Sequence, residues 1–176
     1  MAALLLLTGR PGVGKTTVLR RVAESLRPRR IGGFTTDEIR EGGARLGFRI
    51  VPFGGEARVM ARVDFPGPIR VGRYGVDVAA IDAVSETAIA PDPAVELYLV
   101  DEIGKMECFS ARFVTAVRRL LDGDRPVAAT VARNGGGFIA EVKRRPEAGM
   151  WEVTPQNRDA LVKRVTGWVG DELRRA

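Results

Sequence analysis

Hydrophobic residues along the chain fall into short continuous runs and into longer segments with helical spacing. The runs at residues 3–7 and 126–132 carry no charge and predict strands that are buried on both faces. Residues 110–123 place Phe113 and Val117 on one face and predict an amphipathic helix. By the same criteria, helices are predicted at 15–27, 78–90, 137–145 and 157–175, and further strands at 31–39, 44–53, 56–63, 95–100 and 150–154. This alternation predicts an α/β fold with a mainly parallel sheet and helices on both faces.

The segment from residue 31 to residue 77 breaks the alternation. Glycine pairs at 42–43 and 54–55 separate predicted strands that have no helix between them. Short glycine-containing turns of this kind join antiparallel strands. We therefore expect an antiparallel meander inserted among the α/β units, followed by a loop at the Gly- and Pro-rich residues 64–77.

Length and composition narrow the choice of fold and chemistry. A chain of 176 residues with 45% hydrophobic residues can bury a core, and we expect residues 1–176 to form a single domain. The chain has one cysteine, Cys108, and no histidine. These counts exclude an intrachain disulfide, a zinc site built from Cys and His, and a histidine base. We expect Cys108 to be a small apolar filler.

The net charge is +6, with 28 Lys plus Arg against 22 Asp plus Glu. Such a balance suits anionic substrates such as nucleotides, or nucleic acid. The basic residues occur as scattered pairs, however, and this favours solvated helix faces over a nucleic-acid patch. No apolar run reaches membrane-spanning length, and the first ten residues lack the basic start of a secretory signal. We therefore expect a cytoplasmic protein with no membrane partner.

The stretch "GRPGVGKTT" at residues 9–17 lies between a predicted strand and a predicted helix. Gly9, Gly14, Lys15 and Thr16 match the P-loop (Walker A) pattern in full. In such a loop, backbone N–H groups surround phosphate oxygens, and the following helix adds its positive end. We expect Lys15 to reach the terminal phosphates and Thr16 to bind Mg²⁺ through its hydroxyl.

A second candidate element follows the predicted strand at 95–100. Asp101 is expected to hold Mg²⁺, and Glu102 to orient or deprotonate an attacking water. Paired carboxylates at this position suit hydrolysis better than transfer to a second substrate. The alternative is that the two acids only stabilise the N-terminus of the next helix.

Two cations are candidates for stabilising charge on the terminal phosphate in the transition state, Lys105 and Arg73. Lys105 comes three residues after Glu102, and the alternative is an exposed lysine paired with Glu107. Arg73 lies in a glycine-rich segment that could close over a nucleotide, and the alternative is an ordinary loop arginine.

The segment "TPQNRD" at residues 154–159 follows the last predicted strand. Loops after the carboxyl ends of parallel strands border the ligand crevice of an open α/β sheet. Asn157 and Arg158 are therefore expected to contact the base or the ribose, although Thr154 or Asn157 could also cap the last helix. Thr130, at the end of another strand, is expected to face the same crevice.

Five stretches together resemble a known family in order and spacing. They are "GRPGVGKTT", "GFTTDEIREGGARLGF", "VGRYGVD", "LVDEIGKMECFS" and "TPQNRD". The chain resembles the small nucleoside-triphosphatases of thermophilic prokaryotes, whose vertebrate member is called the cancer-related nucleoside-triphosphatase. The resemblance implies a RecA-like P-loop NTPase fold and Mg²⁺-dependent hydrolysis of ATP, GTP, CTP and UTP to diphosphate and phosphate, with broad base selectivity.

The resemblance also implies which residues contact the nucleotide. Besides Gly9, they are Arg10, Pro11, Gly12, Val13, Gly14, Lys15, Thr16 and Thr17 in the P-loop, and Tyr98, Leu99, Val100, Asp101, Glu102, Ile103, Gly104 and Lys105 around the acid pair. Family members often have lysine where this chain has Arg73, so the charge is kept and the donor geometry changes.

Two other functions stay open from the sequence. A P-loop kinase would transfer phosphate to a nucleotide or a small metabolite, and a nucleic-acid-associated ATPase would account for the +6 charge. The acid pair favours hydrolysis. We expect a monomer, with Mg²⁺ as the cofactor.

Overall fold

The computed structural model describes residues 1–175 of the 176-residue chain. In chain order the strands are β1 (Leu4–Thr8), β2 (Ile31–Glu41), β3 (Ala44–Pro52), β4 (Arg58–Arg62), β5 (Arg70–Val71), β6 (Tyr74–Val76), β7 (Leu97–Ile103), β8 (Val127–Val131) and β9 (Ala148–Glu152). The helices are α1 (Lys15–Ser25), α2 (Val78–Thr87), α3 (Ala111–Leu121), α4 (Gly137–Lys143) and α5 (Arg158–Arg175), with a short 3-10 turn at Glu107–Phe109.

These strands form one sheet in the order β5-β6-β4-β3-β2-β7-β8-β1-β9. Strands β2, β7, β8, β1 and β9 pair in parallel, whereas β2 to β6 pair antiparallel as the predicted meander. The predicted RecA-like α/β architecture is thus confirmed. Because β8 lies between β1 and β7, the loops after these three strands emerge side by side at the carboxyl edge of the sheet.

Strand β1 shows how the centre of the sheet is buried on both faces. Leu4 and Leu6 pack into a core that contains residues of α2, α3 and α4. Leu5 and Leu7 pack into a second core with residues of α1 and α5, because successive side chains of a strand point to opposite faces. Helices therefore cover both faces, as predicted. None of the helices within residues 1–175 is long and apolar enough to cross a membrane.

The prediction of a loop at residues 64–77 is wrong in part. Strands β5 and β6 form a small hairpin there, which turns at Gly72 and Arg73. Tyr74 and Val76 of this hairpin are buried in the core. Strands of two or three residues are too short to show alternation in a sequence, and the surrounding Gly and Pro residues conceal them.

Strand β7 is longer than the run at 95–100 that predicted it. It continues through Asp101 and Glu102 to Ile103, so the acid pair lies inside the strand. Two consecutive carboxylates do not indicate a strand in a sequence, and here they belong to one only because β7 continues through them. The pairing of β7 with β8 shifts register between Val100 and Ile103, at the two acids.

Strand β2 extends beyond the parallel part of the sheet. It pairs with β7 only as far as Phe34 and Val100, and beyond them it pairs with β3 alone. Thr36 lies just past this point, and its backbone N–H donates a hydrogen bond to Asp101 Oδ2 at 3.2 Å. The β2–β3 hairpin thus adds a residue to the carboxyl edge that carries the acid pair.

Candidate functional site

The P-loop connects β1 to α1 and ends in a backbone conformation that favours glycine. Gly14 has a φ of 108°, in the left-handed region, and α1 begins at the next residue. The N–H of Val13 donates to the carbonyl of Arg10 at 3.2 Å, which closes a tight turn inside the loop. The first N–H groups of α1 point toward this turn, as they do in anion-binding helix termini. The loop predicted from the sequence therefore has a conformation suited to phosphate.

Lys15 joins the P-loop to the acid pair. Its Nζ donates to the carbonyl of Gly9 at 3.3 Å and lies 3.2 Å from Glu102 Oε2 in an ion pair. The structure therefore brings together the predicted phosphate-binding lysine and the predicted water-activating acid.

Asp101 is buried at the centre of a hydrogen-bond network and is 2% exposed. Thr130 Oγ1 donates to Asp101 Oδ1 at 2.6 Å. Burial raises the pKa of Asp101, while the nearby hydroxyls of Thr130 and Thr16 and the Thr36 N–H lower it. We call Asp101, Glu102, Thr36 and Thr130 the acidic edge.

The oxygen atoms of Asp101 and Thr16 are of the kind that binds Mg²⁺. A carboxylate oxygen and a hydroxyl oxygen are hard ligands, and Mg²⁺ in nucleotide sites commonly takes one or two protein groups with phosphate oxygens and water completing its shell. In the described part of the chain no cluster of three or more His, Cys, Asp or Glu could hold a metal alone. The Thr16 hydroxyl is close enough to Asp101 to lower the pKa of its carboxyl, and binding of Mg²⁺ by these two residues stays a prediction.

Glu102 reaches the P-loop because β7 is irregular at this point. In a regular strand, Asp101 and Glu102 would point to opposite faces of the sheet. The register shift between Val100 and Ile103 breaks that alternation, and Glu102 pairs with Lys15 of the P-loop. The Glu102 side chain is 32% exposed, so water can reach it.

Glu107 is a second acid beside Glu102, and the sequence analysis considered it only as a partner for Lys105. It is 4% exposed, and no ion pair joins it to Lys105 within the described residues. A Cβ at Gly104 would lie 2.7 Å from Glu102 Oε1 and 2.9 Å from Glu107 Oε2, so only glycine lets both carboxyls approach. Burial and the charge of Glu102 raise the pKa of Glu107 to about 8.

The cations Lys105 and Arg73 have different surroundings. Lys105 is exposed in the turn after β7, close in sequence to Glu102. Arg73 donates to the carbonyl of Arg45, and its guanidinium lies 5.3 Å from the centre of the Tyr74 ring. Five strands separate its hairpin from β1 in the sheet. A phosphate contact by Lys105 or by Arg73 stays a prediction.

Arg158 lies against the P-loop, as its predicted role requires. Its Nη1 donates to the carbonyl of Val13 at 3.3 Å, and a Cβ at Gly14 would lie 3.4 Å from Arg158 Cδ. Asn157 is occupied in the turn before α5 instead. Its Oδ1 accepts from the Thr154 N–H at 2.8 Å, and its Nδ2 donates to a backbone carbonyl. Asn157 thus serves to position Arg158.

Several predicted nucleotide contacts turn out to be core residues. Tyr98, Leu99, Val100 and Ile103 are each at most 1% exposed. Their side chains have no surface for a nucleotide, and their part in the site is to carry the acidic edge. Thr130 also differs from expectation, since its hydroxyl is directed at Asp101 rather than into the crevice.

Sequence reasoning missed Thr36, and it missed Lys143. Thr36 comes from the extended part of β2, and only the polar residues after "GF" in "GFTTDE" could have suggested a strand end there. Lys143, in the last turn of α4, donates from Nζ to the carbonyl of Arg133 at 2.8 Å. No motif or spacing connects Lys143 with the P-loop. Cys108, by contrast, packs against the core as predicted, and burial raises the pKa of its thiol to about 12.

Comparisons with known proteins agree on one family. A family model described as NTPase matches residues 4–166. The nucleoside-triphosphatase THEP1 of Thermotoga petrophila is 39% identical over 162 residues, covering 92% of this chain and 89% of that protein. The human cancer-related nucleoside-triphosphatase is 33% identical over 178 residues, covering 92% and 94%. The crystal structure of THEP1 from Aquifex aeolicus superposes with a TM-score of 0.85 at 32% identity, covering 94% of this chain and 98% of that one.

Proposed function

The chain belongs to the NTPase family and is a nucleoside-triphosphate hydrolase. We propose that it uses Mg²⁺ to hydrolyse nucleoside triphosphates to nucleoside diphosphates and inorganic phosphate. ATP, GTP, CTP and UTP are the proposed substrates. One observation carries the proposal. Lys15 of the P-loop lies 3.2 Å from Glu102, and the hydroxyl of the neighbouring Thr16 is close enough to Asp101 to lower the pKa of its carboxyl. Phosphate-binding, metal-binding and water-activating groups thus meet at one edge of the sheet.

Binding begins at the P-loop in this proposal. Backbone N–H groups of residues 10–16 and the N-terminus of α1 surround the phosphates, and Lys15 neutralises their charge. Mg²⁺ held by Thr16 and Asp101 would neutralise further charge on the phosphate oxygens. The pKa of Asp101 is raised by burial, and a bound cation would favour its ionised form.

Glu102 is the proposed base. In the structure its carboxylate is paired with Lys15. A triphosphate offers Lys15 a stronger anionic partner, and Glu102 can then hold the attacking water. The water oxygen bonds to the terminal phosphorus, the bond to the oxygen of the β-phosphate breaks, and the water proton passes to Glu102. The products are the diphosphate and inorganic phosphate.

Broad selectivity among bases follows from the same arrangement. The P-loop and the acidic edge recognise phosphate and metal, which every nucleoside triphosphate shares. On the base side, the residue placed against the loop is Arg158, whose planar guanidinium can stack on any base. Selectivity would require hydrogen bonds to particular base edges. The side-chain amide of the predicted partner Asn157 instead hydrogen-bonds to backbone groups in the turn before α5.

Phosphate release from each of the four triphosphates, with no acceptor present, tests the proposal. We expect release with Mg²⁺, loss of release with excess chelator, and rates within about an order of magnitude of one another. Release that appears only after a nucleoside or metabolite acceptor is added would identify a kinase instead. Release that requires RNA or DNA would identify a nucleic-acid-associated ATPase.

We further propose that residues 1–176 act as one monomeric domain on free nucleotides in the cytoplasm. The basic surface supports a mixed-charge interpretation, because many arginines are paired with acids, as Arg118 is with Glu141 and Arg62 with Asp64. Size-exclusion chromatography with light scattering tests the monomer. Retention on RNA at physiological salt would contradict the assignment to free nucleotides.

A further inference from the structure

The chain uses lysine sparingly, and two of its lysines, Lys15 and Lys143, lie close enough for their charges to interact. Of the 28 basic residues only four are lysine: Lys15, Lys105, Lys143 and Lys163. Lys15 and Lys105 belong to the segments already discussed, and Lys163 is exposed on α5. Lys143 lies outside every motif that the sequence analysis used. An ammonium is a compact point charge that binds phosphate, and arginine is the usual choice elsewhere in this chain.

Hydrogen bonds place the ammonium of Lys143 at the carboxyl edge of the sheet. Its Nζ lies 2.8 Å from the carbonyl of Arg133, in the loop that follows β8. That loop leaves the sheet beside the acid pair, because the N–H of Ala132 donates to the carbonyl of Ile103 at 3.1 Å. Since β8 lies between β1 and β7, the loop emerges between the P-loop and the acid pair. The Lys143 ammonium therefore lies at the edge of the sheet that carries the P-loop and the acid pair.

The charges around Lys143 are unbalanced. Burial lowers the pKa of Lys143 most, the charge of Lys15 lowers it further, and the charge of Glu102 acts against these effects. The two lysines are thus near enough to affect each other. Within residues 1–175 no carboxylate lies within ion-pair distance of Lys143, whereas the nearby Arg145 pairs with both Asp122 and Glu147.

Two ammonium groups that share the charge of Glu102 favour an added anion. A phosphate group would offset the excess positive charge of the two lysines over Glu102, and would accept hydrogen bonds from Lys143 in exchange for the Arg133 carbonyl.

We propose that Lys143 contacts the terminal phosphate of the bound nucleoside triphosphate, from the side opposite Lys15. The inference rests on the proposed function and extends it, because it names a residue that distinguishes a triphosphate from a diphosphate. Lys143 is carried by α4 and lies against the loop after β8, so the phosphate is held from that loop as well as from the P-loop after β1.

Binding constants for Mg²⁺ complexes of ADP and of a non-hydrolysable ATP analogue test this contact. In Lys143→Met, we expect the triphosphate analogue to bind roughly ten- to a hundredfold more weakly, the range of one charge-assisted hydrogen bond. ADP should bind within about twofold of the wild type. Lys143→Arg should keep most of the triphosphate affinity, and Lys163→Met is the matched control that should change neither ligand.

The outcomes separate this inference from the proposed function. Equal weakening of both ligands, or no weakening, would overturn the role of Lys143 while hydrolysis by the wild type still supports the proposed function. A wild type that binds neither ligand and releases no phosphate would overturn both.

A second measurement uses the wild-type protein alone, so it does not depend on the folding of a variant. Amines are acetylated briefly, and each lysine is quantified by mass spectrometry. The triphosphate analogue with Mg²⁺ should protect Lys143, ADP should leave it reactive, and Lys163 should react equally in all samples. Equal labelling of Lys143 with both nucleotides contradicts the contact.

Discussion

Residues 9–17 form the P-loop through contacts between neighbours in the chain, whereas the acidic edge draws on three separate strands, β2, β7 and β8. Within the P-loop, Lys15 bonds to the carbonyl of Gly9, and Val13 bonds to that of Arg10. The Asp101 carboxylate receives its hydrogen bonds from β2 and β8, through Thr36 and Thr130. The first region works through backbone groups, and the second through buried side chains.

This difference determines which substitutions should impair each region. Backbone N–H groups survive substitution of neighbouring side chains, so the phosphate-binding loop depends on its glycines and on Lys15. The acidic edge depends on a carboxylate that is 2% exposed, and a partner removed there leaves a buried polar atom unsatisfied. Substitutions in the P-loop should therefore affect ligand binding, and substitutions in the acidic edge should affect chemistry, metal affinity and stability.

The largest effect is expected from Lys15→Ala. Without its ammonium the loop loses the charge that neutralises the terminal phosphates, in the ground state and in the transition state. We expect nucleotide binding to fall below detection at micromolar protein, and kcat/KM to fall at least about a thousandfold. Equilibrium binding and phosphate release measure the two quantities. Lys163→Ala, at an exposed lysine, should match the wild type. Normal binding in Lys15→Ala would show that backbone groups alone hold the phosphates.

Glu102→Gln should separate binding from chemistry. The amide cannot accept a proton from water, so kcat should fall by about 10²- to 10⁴-fold, the usual contribution of a general base. Binding of Mg²⁺–ATP should stay the same or tighten, because Lys15 loses its competing carboxylate. Single-turnover phosphate release and equilibrium binding give both values. A kcat near that of the wild type would assign water activation to another group.

A smaller effect is expected from Thr130→Val, which keeps the volume and removes the hydroxyl from Asp101 Oδ1. A residue that orients a metal ligand typically changes metal affinity ten- to a hundredfold, and we expect about tenfold weaker Mg²⁺ activation. The free energy of unfolding should fall by about 1–3 kcal/mol, because a buried acceptor loses its donor. Thr115→Val, at an exposed threonine of α3, is the control. If Mg²⁺ activation is unchanged, Thr130 has no part in orienting Asp101.

The same difference explains how much of the site could be predicted from the sequence. The P-loop is a contiguous pattern, and Asp101 and Glu102 stand at the end of an apolar run, so their residue types and positions predicted their contacts. The orientation of the Thr130 hydroxyl depends on the register between β7 and β8, which no single segment encodes. The Lys143 ammonium reaches the edge from the far end of a helix, so its placement depends on tertiary packing.

The meander shows the same limit at the level of the fold. The glycine pairs predicted its long strands, because turn residues and alternation are local signals. Strands β5 and β6 are held by pairing with each other and with β4, together with burial of Tyr74 and Val76. Nothing within the two short segments predicts a strand. The sequence therefore predicts a closing loop at Arg73, whereas in the structure Arg73 lies in the turn of this hairpin.

The smallest effect is expected in stability, from Glu107→Gln. The pKa of Glu107 is about 8 in the folded protein and about 4.5 in the unfolded chain, so between these values only the folded state retains the proton. The contribution of Glu107 to stability is therefore fully present below about pH 4.5, decreases as the pH rises, and reaches its minimum above about pH 8.

Glutamine keeps the shape of the Glu107 side chain and cannot ionise, so the variant does not lose stability as the pH rises through this range. Relative to the wild type, Glu107→Gln should gain on the order of 1–3 kcal/mol between pH 5.5 and pH 8.5. Urea denaturation at the two pH values measures this gain, and the exposed Glu56→Gln should show none. An equal pH dependence in Glu107→Gln and wild type would mean that Glu107 is ionised in the folded protein. Glu107 would then add a further negative charge next to Glu102, and cations would bind more favourably at this edge.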